Sequence, residues 1–466
     1  MGGRLSKRRG AGWGGFFGLA LALGGCGSEP AGSSTGDERG TTVSSSGSVE
    51  PGSTTAVDGE GGSTATQGMG GDSSGALDTA TGTTSGSDSS GAPPVTFDVG
   101  GGPKGCPSGG KIDESYIWIA NSSEGTVSKI DTRELEEVGR YAVRPDGGGN
   151  PSRTSVNGAN DAVVLSRDGG LTKFYGSPSR CQDTNGTPGI QTSPGGPGTT
   201  QAWDDEECRA WHTPLNYLNM RAVAWTSGVL DPETCEVVGS MVWASGNNDT
   251  SDSADVLLID GEDGSITETI ELPDDLPLPL GHGAYGAAVD ADNNLWIVQL
   301  YNNRLLRVDR NTFEIDWWDE PEHTYGMTID TDGSIWTCNR HLGRFDPITE
   351  TWDVALIEDW QGFFGHAGGC MSDGNGIIWK SMDDRLLAVE TATMNVVDTI
   401  TLPEGMLWGV AVDYDGYVWA IPRSGSTAYR VDPATHQIES VGGLVGAYTY
   451  SDMTGFLLGS VTGPVG

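Results

Sequence analysis

The chain has 466 residues, with 73 glycines, 15 tryptophans, a hydrophobic share of 36% and a charged share of 19%. That balance fits neither a helical bundle nor a fully disordered chain. With 26 Lys+Arg against 64 Asp+Glu the formal net charge is -38, so phosphate contacts would meet a repulsive surface and a nucleic-acid partner is set aside.

In chain order, Arg4, Lys7, Arg8 and Arg9 precede an apolar run from Trp13 to Leu23, which ends in Leu23-Gly24-Gly25-Cys26. This is an export-signal pattern, shorter than the roughly 18 to 20 apolar residues of a spanning helix. The tetrad resembles the lipobox of bacterial lipoproteins, which implies that residues 1–25 are removed and that Cys26 carries the lipid. Gly27 stands where an aspartate would resemble an inner-membrane retention signal, so the resemblance implies an outer-membrane lipoprotein. Residues 26–105 are mostly Ser, Thr, Gly, Asp and Glu. They bury too little apolar surface to offset ordering entropy and are expected to form a disordered tether. About 75 residues of such a coil reach on the order of 45 to 50 Å.

Residues 106–466 change character. Tyr285-Gly286 leads to Trp296, Tyr325-Gly326 to Trp336, Gly368-Gly369 to Trp379 and Trp408-Gly409 to Trp419, with steps of 40, 43 and 40 residues between tryptophans. Each is followed by a second apolar strand ending in an acid, such as Arg307-Val308-Asp309. Weaker copies sit around Trp118, around Thr154 with Phe174, and around Trp225 with Trp243. A period of 40 to 45 residues with about four strands per unit predicts an all-β fold, a β-propeller whose tryptophans pack between blades. Seven units are counted, with six or seven blades closing the ring. Tyr448-Thr449-Tyr450 supplies a strand with no tryptophan of its own, predicting that the C-terminal strand completes the first blade.

The turns Asp330-Thr331-Asp332-Gly333 before Trp336 and Asp413-Tyr414-Asp415-Gly416 before Trp419 resemble the repeats of streptogramin B (virginiamycin B) lyase-like propellers, related to NHL and YVTN types. The resemblance covers residues 114–459 and implies histidine and glutamate side chains at the propeller mouth acting with a divalent metal. The position three after the blade tryptophan, often glutamate in that family, is here Gln299, Asn339, Met382 or Pro422.

His282, His323 and His366 each precede an inner strand, and Glu322 and Glu404 lie in equivalent loops. Neutral imidazoles gathered at one mouth could bind metal or move protons, so these five are the catalytic candidates. The Asp-x-Asp-Gly turns read as hairpins, since the closing glutamate of an EF-hand is absent. An insertion from Cys181 to Cys208 offers Asp183, Asn185 and Glu206 as oxygen ligands for calcium. Apart from Cys26, six cysteines in an exported chain favour disulfides. Cys181 with Cys208 and Cys338 with Cys370 are preferred, leaving Cys106 with Cys235.

Two functions stand. One is a monomeric outer-surface lipoprotein, held to the membrane by its lipid alone, whose propeller binds an extracellular protein, peptide or glycan. The other is a lyase-like enzyme that opens a cyclic depsipeptide or ester lactone with a divalent metal, magnesium or calcium.

Overall fold

A computed structural model describes residues 114–234, 237–248, 253–273, 284–300, 302–357, 368–450 and 452–462. The export signal, Cys26, the tether, Cys106, Cys235, His282 and His366 lie outside them. The described residues build a seven-bladed β-propeller in which every strand runs antiparallel to its sheet neighbours. Blade 1 has three strands from Tyr116–Asn121 to Glu136–Ala142. Blades 2 to 7 have four each, and their inner strands are Pro151–Val156, Val223–Trp225, Gly286–Val289, Gly326–Ile329, Cys370–Ser372 and Leu407–Val412.

The repeated tryptophan explains the blade stacking. Trp243, Trp296, Trp336, Trp379 and Trp419 sit on the second strand of their sheets and Trp118 on the first strand of three-stranded blade 1, and all six are buried. Removing each from water supplies on the order of 5 kcal/mol before entropic costs. Blade 2 has Val163 at the equivalent register. The Asp-x-Asp-Gly turns are hairpins. Asp413 receives the Gly416 amide on its carbonyl at 3.0 Å, and Gly416 sits at φ +84°, where a side chain would be strained. The Asp413 carboxylate binds the Asp415 amide at 3.0 Å and the Trp419 indole N–H at 2.8 Å, and Asp290 does the same for Asp292 and Trp296. These carboxylates hold turn and tryptophan together.

Closure follows the sequence expectation in place but not in regularity. Residues 447–453 run beside the first strand of blade 1: the Tyr448 amide donates to Ala120 and the Trp118 amide to Met453, at 3.1 and 2.9 Å. Only Ala447 forms a ladder bridge, to Asn121. The segment is a strap rather than a regular strand, and Tyr448 and Tyr450 join the aromatic cluster of Tyr285 and Tyr325. A short helix, α1 (Phe456–Thr462), follows it. Asp452 accepts amides of Gly455 and Leu458 at 2.9 and 3.4 Å, and Phe456, Leu457 and Leu458 join apolar clusters of several blades. The helix was not anticipated, since a residual apolar stretch after the last repeat carries no period of its own.

The preferred disulfides form. Cys181 joins Cys208 and closes the insertion in blade 2, and Cys338 joins Cys370 and ties blade 5 to blade 6. Near the axis the inner strands nearly touch at one register, two residues after the tryptophan position. It is filled by Gly286, Gly326, Gly369 and Gly409. A β-carbon on Gly326 would lie 3.2 Å from the Gly369 Cα, and one on Gly409 would lie 2.6 Å from the Thr449 carbonyl oxygen. Blade 3 has Ala222 there, and blade 2 has Arg153, paired with Leu165.

Candidate functional site

The exception at that register organises the mouth. Glycines in four blades leave room at the axis, and aromatic rings from the residues beside them fill it. Tyr285 and Tyr325 precede the inner strands of blades 4 and 5, Trp408 lies in that of blade 7, and Tyr448 and Tyr450 come from the closing strap. Tyr450 stands in the middle, with ring centroids of Tyr325 at 4.4 Å and Tyr285 at 5.7 Å. Tyr325 meets Trp408 edge-on at 5.1 Å. The Tyr448 hydroxyl lies 2.6 Å from that of Tyr325 and 3.2 Å from that of Tyr285.

Four arginines enter this aromatic cluster from the mouth side. The Arg153 guanidinium lies over the Tyr450 ring and 5.2 Å from the Tyr285 centroid. Arg221, at the register that Tyr285 holds in blade 4, lies 5.1 Å from the same Tyr285 ring. Arg167 stands 4.8 Å above Tyr448, and the exposed Arg423 caps Trp408 at 4.7 Å and Tyr448 at 5.7 Å. The cations thus run from an exposed rim to an Arg153 that is 1% exposed. Contact with ring faces offsets part of their charge.

Their hydrogen bonding is incomplete. Arg153 Nη1 donates to the Ser152 carbonyl at 2.9 Å, while its Nε and Nη2 are buried without a partner. Arg221 Nη1 donates to Asn219, and its Nε is also buried and unpaired. The Trp408 indole N–H, the Tyr450 hydroxyl and the Gln299 amide nitrogen share that condition. A buried donor left unmade costs about 1 to 3 kcal/mol, and more when charged. Several at one mouth mark a half-completed set of interactions.

The electrostatics agree. Burial pulls the Arg153 pKa down to about 9; the phenols of Tyr325, Tyr285 and Tyr448 oppose the shift and Arg221 adds to it. Burial raises the Tyr285 phenol to about 12. Burial would raise Tyr448 too, but the charge of Arg153, hydrogen bonds from Tyr285 and Tyr325, and Arg221 together hold it below the ordinary value. In a chain with a net charge of -38, the mouth is locally cationic.

The residues chosen from sequence fare unevenly. Glu322 and His323 lie in the loop entering blade 5, with Glu322 exposed and His323 half-buried. Burial lowers the His323 pKa and Glu322 opposes it. Glu404, in the loop entering blade 7, accepts the Tyr429 hydroxyl at 3.4 Å. The buried acid of the blade 5 loop is Glu320, whose Oε1 has no partner and whose pKa is raised by burial against the pull of Arg304. In the insertion, Glu206 accepts Thr192, Cys208 and both the amide and hydroxyl of Ser193, at 2.6 to 3.0 Å. Glu207 receives the amides of Thr184, Asn185 and Gln191. Asp183 and Asn185 are exposed. The insertion's own donors occupy the Glu206 oxygens and Asn185 Oδ1, which accepts the Thr187 amide at 2.8 Å, and among the described residues no group of three or more His, Cys, Asp or Glu is arranged to hold a metal ion.

The sequence reading used Tyr285, Tyr325 and Trp408 only as repeat markers and passed over the arginines. A signal was present: Arg153 and Arg221 break the repeat where the other blades carry glycine or an aromatic residue. On the opposite face, a cleft of about 550 Å³ between blades 4 and 5 is lined by Asp290, Trp296, Arg307, Asp316 and Trp317. Its Asp290 is committed to the turn and to Trp296, as described above, and Arg307 pairs with Asp309 at 3.2 Å.

No protein-family model matches the chain, and no curated protein matches it. Among solved structures it is similar to a streptogramin B lyase, at 14% identity and a TM-score of 0.43 over 63% of this chain and 83% of that one. It is similar to a catalytically inactive virginiamycin B lyase from Staphylococcus aureus with quinupristin, at 12% identity and a TM-score of 0.43 over 63% and 84%. Apo AztD from Citrobacter koseri gives 8% identity and a TM-score of 0.43 over 72% and 96%. The seven-bladed assignment rests on the sheets of this chain itself.

Proposed function

We propose that this chain is an outer-membrane lipoprotein, lipidated at Cys26 and tethered by residues 26–105, whose propeller binds an extracellular protein, peptide or glycan at its axial mouth. The observation that carries the reading is the cationic aromatic mouth with buried, unpaired donors, an arrangement suited to a ligand that brings acceptors and apolar surface together. Two disulfides suit an oxidising compartment. No helix among the described residues is long and apolar enough to cross a membrane.

The full chain incubated with a streptogramin B and magnesium is expected to leave the lactone intact by mass spectrometry. A ring-opened product would overturn the binding reading. Immobilised peptides and glycans are expected to retain the full chain and to lose it on Arg221→Gln. Growth with a radioactive fatty acid is expected to label the chain but not its Cys26→Ala variant.

A further inference from the structure

We infer that the mouth is built to receive a carboxylate, gripped edge-on by the Nε and Nη2 side of Arg153, with Arg221 as the second cation and the rings of Tyr285, Tyr325 and Tyr450 as walls. This rests on the reading of the mouth as a ligand site and specifies what enters it.

The argument starts from the arginine fork. Nη1 of Arg153 is tied back to the Ser152 carbonyl at 2.9 Å, which fixes the plane of the guanidinium. The two N–H groups left open, on Nε and Nη2, lie on one edge and point the same way, which is the spacing two carboxylate oxygens accept. A guanidinium that is 1% exposed cannot satisfy that edge with bulk water. Among the described residues, the groups that act on its charge are three phenols and Arg221, with no carboxylate. On this inference the counter-ion is brought by the ligand.

Shape narrows the anion. The Tyr450 ring lies against the face of the guanidinium, and Tyr285 and Tyr325 pack against Tyr450. With rings packed about the face of the guanidinium, a group that continues its plane is favoured, which suits a planar carboxylate better than a tetrahedral phosphate or sulfate. Tyr448 is the internal competitor, since its phenol is acidified in place. Its oxygen faces the hydroxyls of Tyr285 and Tyr325, and it leaves both arginine edges unmade. Exposed Arg423 at the rim offers first capture for an acid moving inward.

A carboxylate of this kind belongs either to a free small acid or to the end of a peptide chain. The test uses the full chain, thermal melting and titration calorimetry. Its probes are benzoate, an N-acetylated tripeptide acid, the same tripeptide as its amide, and sulfate at matched ionic strength. Benzoate and the peptide acid are expected to raise the melting temperature with dose, and the amide and sulfate to leave it unchanged. Arg153→Gln is expected to weaken acid binding at least tenfold. Because Arg153 is buried, Arg221→Gln and Arg423→Gln provide the controls: the first is expected to weaken binding severalfold, and the second to slow association and flatten its salt dependence. A peptide acid binding at least tenfold tighter than benzoate identifies a chain end, and equal affinities identify a free acid. The inference is overturned if acid and amide act alike, if sulfate matches benzoate, or if Arg221→Gln and Arg423→Gln both bind as the parent does. Retention on immobilised ligands that lack carboxylates would keep the binding function and discard this inference, whereas lactone opening would discard the binding function whatever the acids do.

Discussion

Blades 4 to 7 and blades 1 to 3 solve the same packing problem with different chemistry. In the downstream blades the second strand carries tryptophan, the axis register carries glycine, and the residue before it is aromatic or, in blade 6, Gly368. In the upstream blades more cations enter the interior, although Lys380 and Arg430 are buried downstream as well. Lys129, Arg140, Arg153 and Lys173 are all buried, and Asp161, also buried, pairs with Lys173 at 3.2 Å and with Arg180 at 2.6 Å. The regular half supplies Tyr285, Tyr325 and Trp408, the strap on blade 1 adds Tyr448 and Tyr450, and the irregular half supplies most of the charge. The comparison teaches that the site arises where the repeat is broken, against a background that the repeat keeps rigid.

The sharpest way to break this arrangement is to remove what joins the halves. A chain ending at Gly446 loses the strap that fills the inner position of blade 1, together with buried Ala447, Tyr450 and Met453. It is expected to show no cooperative melting transition by circular dichroism, and an unchanged melting curve would refute closure by the strap. Next come single core positions, one from each half. Trp419→Ala is expected to cost about 3 to 5 kcal/mol in urea unfolding through lost burial and a cavity. Asp161→Ala is expected to cost a similar amount, about 3 to 5 kcal/mol, for a different reason: it strands buried Lys173. If Asp161→Ala is nearly neutral, the upstream interior is wetter than its burial indicates.

The two disulfides separate the halves again. Replacing Cys338 and Cys370 by serine is expected to lower stability by about 2 to 4 kcal/mol, because the bond spans two blades of the ring. Replacing Cys181 and Cys208 is expected to expose the insertion to protease while leaving the main transition nearly in place. Both are read by melting and limited proteolysis.

A pH series sharpens the role of the strap. Burial raises Asp452 from 3.8 to about 6, against the pull of the amides it accepts. A carboxyl with a raised folded-state pKa stabilises the fold fully below its unfolded value, and that contribution is lost as pH rises through about 6. Stability is therefore expected to fall between pH 4 and 7 by roughly 1 to 3 kcal/mol from this group, and Asp452→Asn to flatten that slope. The smallest effect is expected at Asp415, which pairs with Arg133 at 2.6 Å where blades 7 and 1 meet in solvent. Asp415→Ala should cost under about 1 kcal/mol and less at high salt.

Much of the architecture was legible because one residue type recurs at one register. The period of Trp296, Trp336, Trp379 and Trp419 located four blades, and weaker copies around Trp118, around Thr154 with Phe174, and around Trp225 with Trp243 located the rest. Cysteine count and spacing led to both described disulfides. The mouth was legible in position, since Tyr285 and Tyr325 were recognised as opening inner strands, but not in chemistry. Histidine and glutamate drew attention as familiar catalytic residues, while Arg153 looked like an ordinary strand residue. Its burial depends on glycines in other blades some 130 to 260 positions away in sequence, a relation that exists only after the ring closes. Helix α1 was invisible for the same reason: its apolar face is defined by the blades above it.

The tyrosine plug has a consequence for the topology of anything bound. Tyr450 sits at the centre of the ring, with Arg153 of blade 2 on its ring face and the Tyr285 and Tyr325 rings of blades 4 and 5 beside it. Among the described residues these rings stopper the axis at the mouth. For a ligand bound as proposed, a chain end would meet the rings while an internal stretch would have to double back. The proposed site would count ends, not lengths.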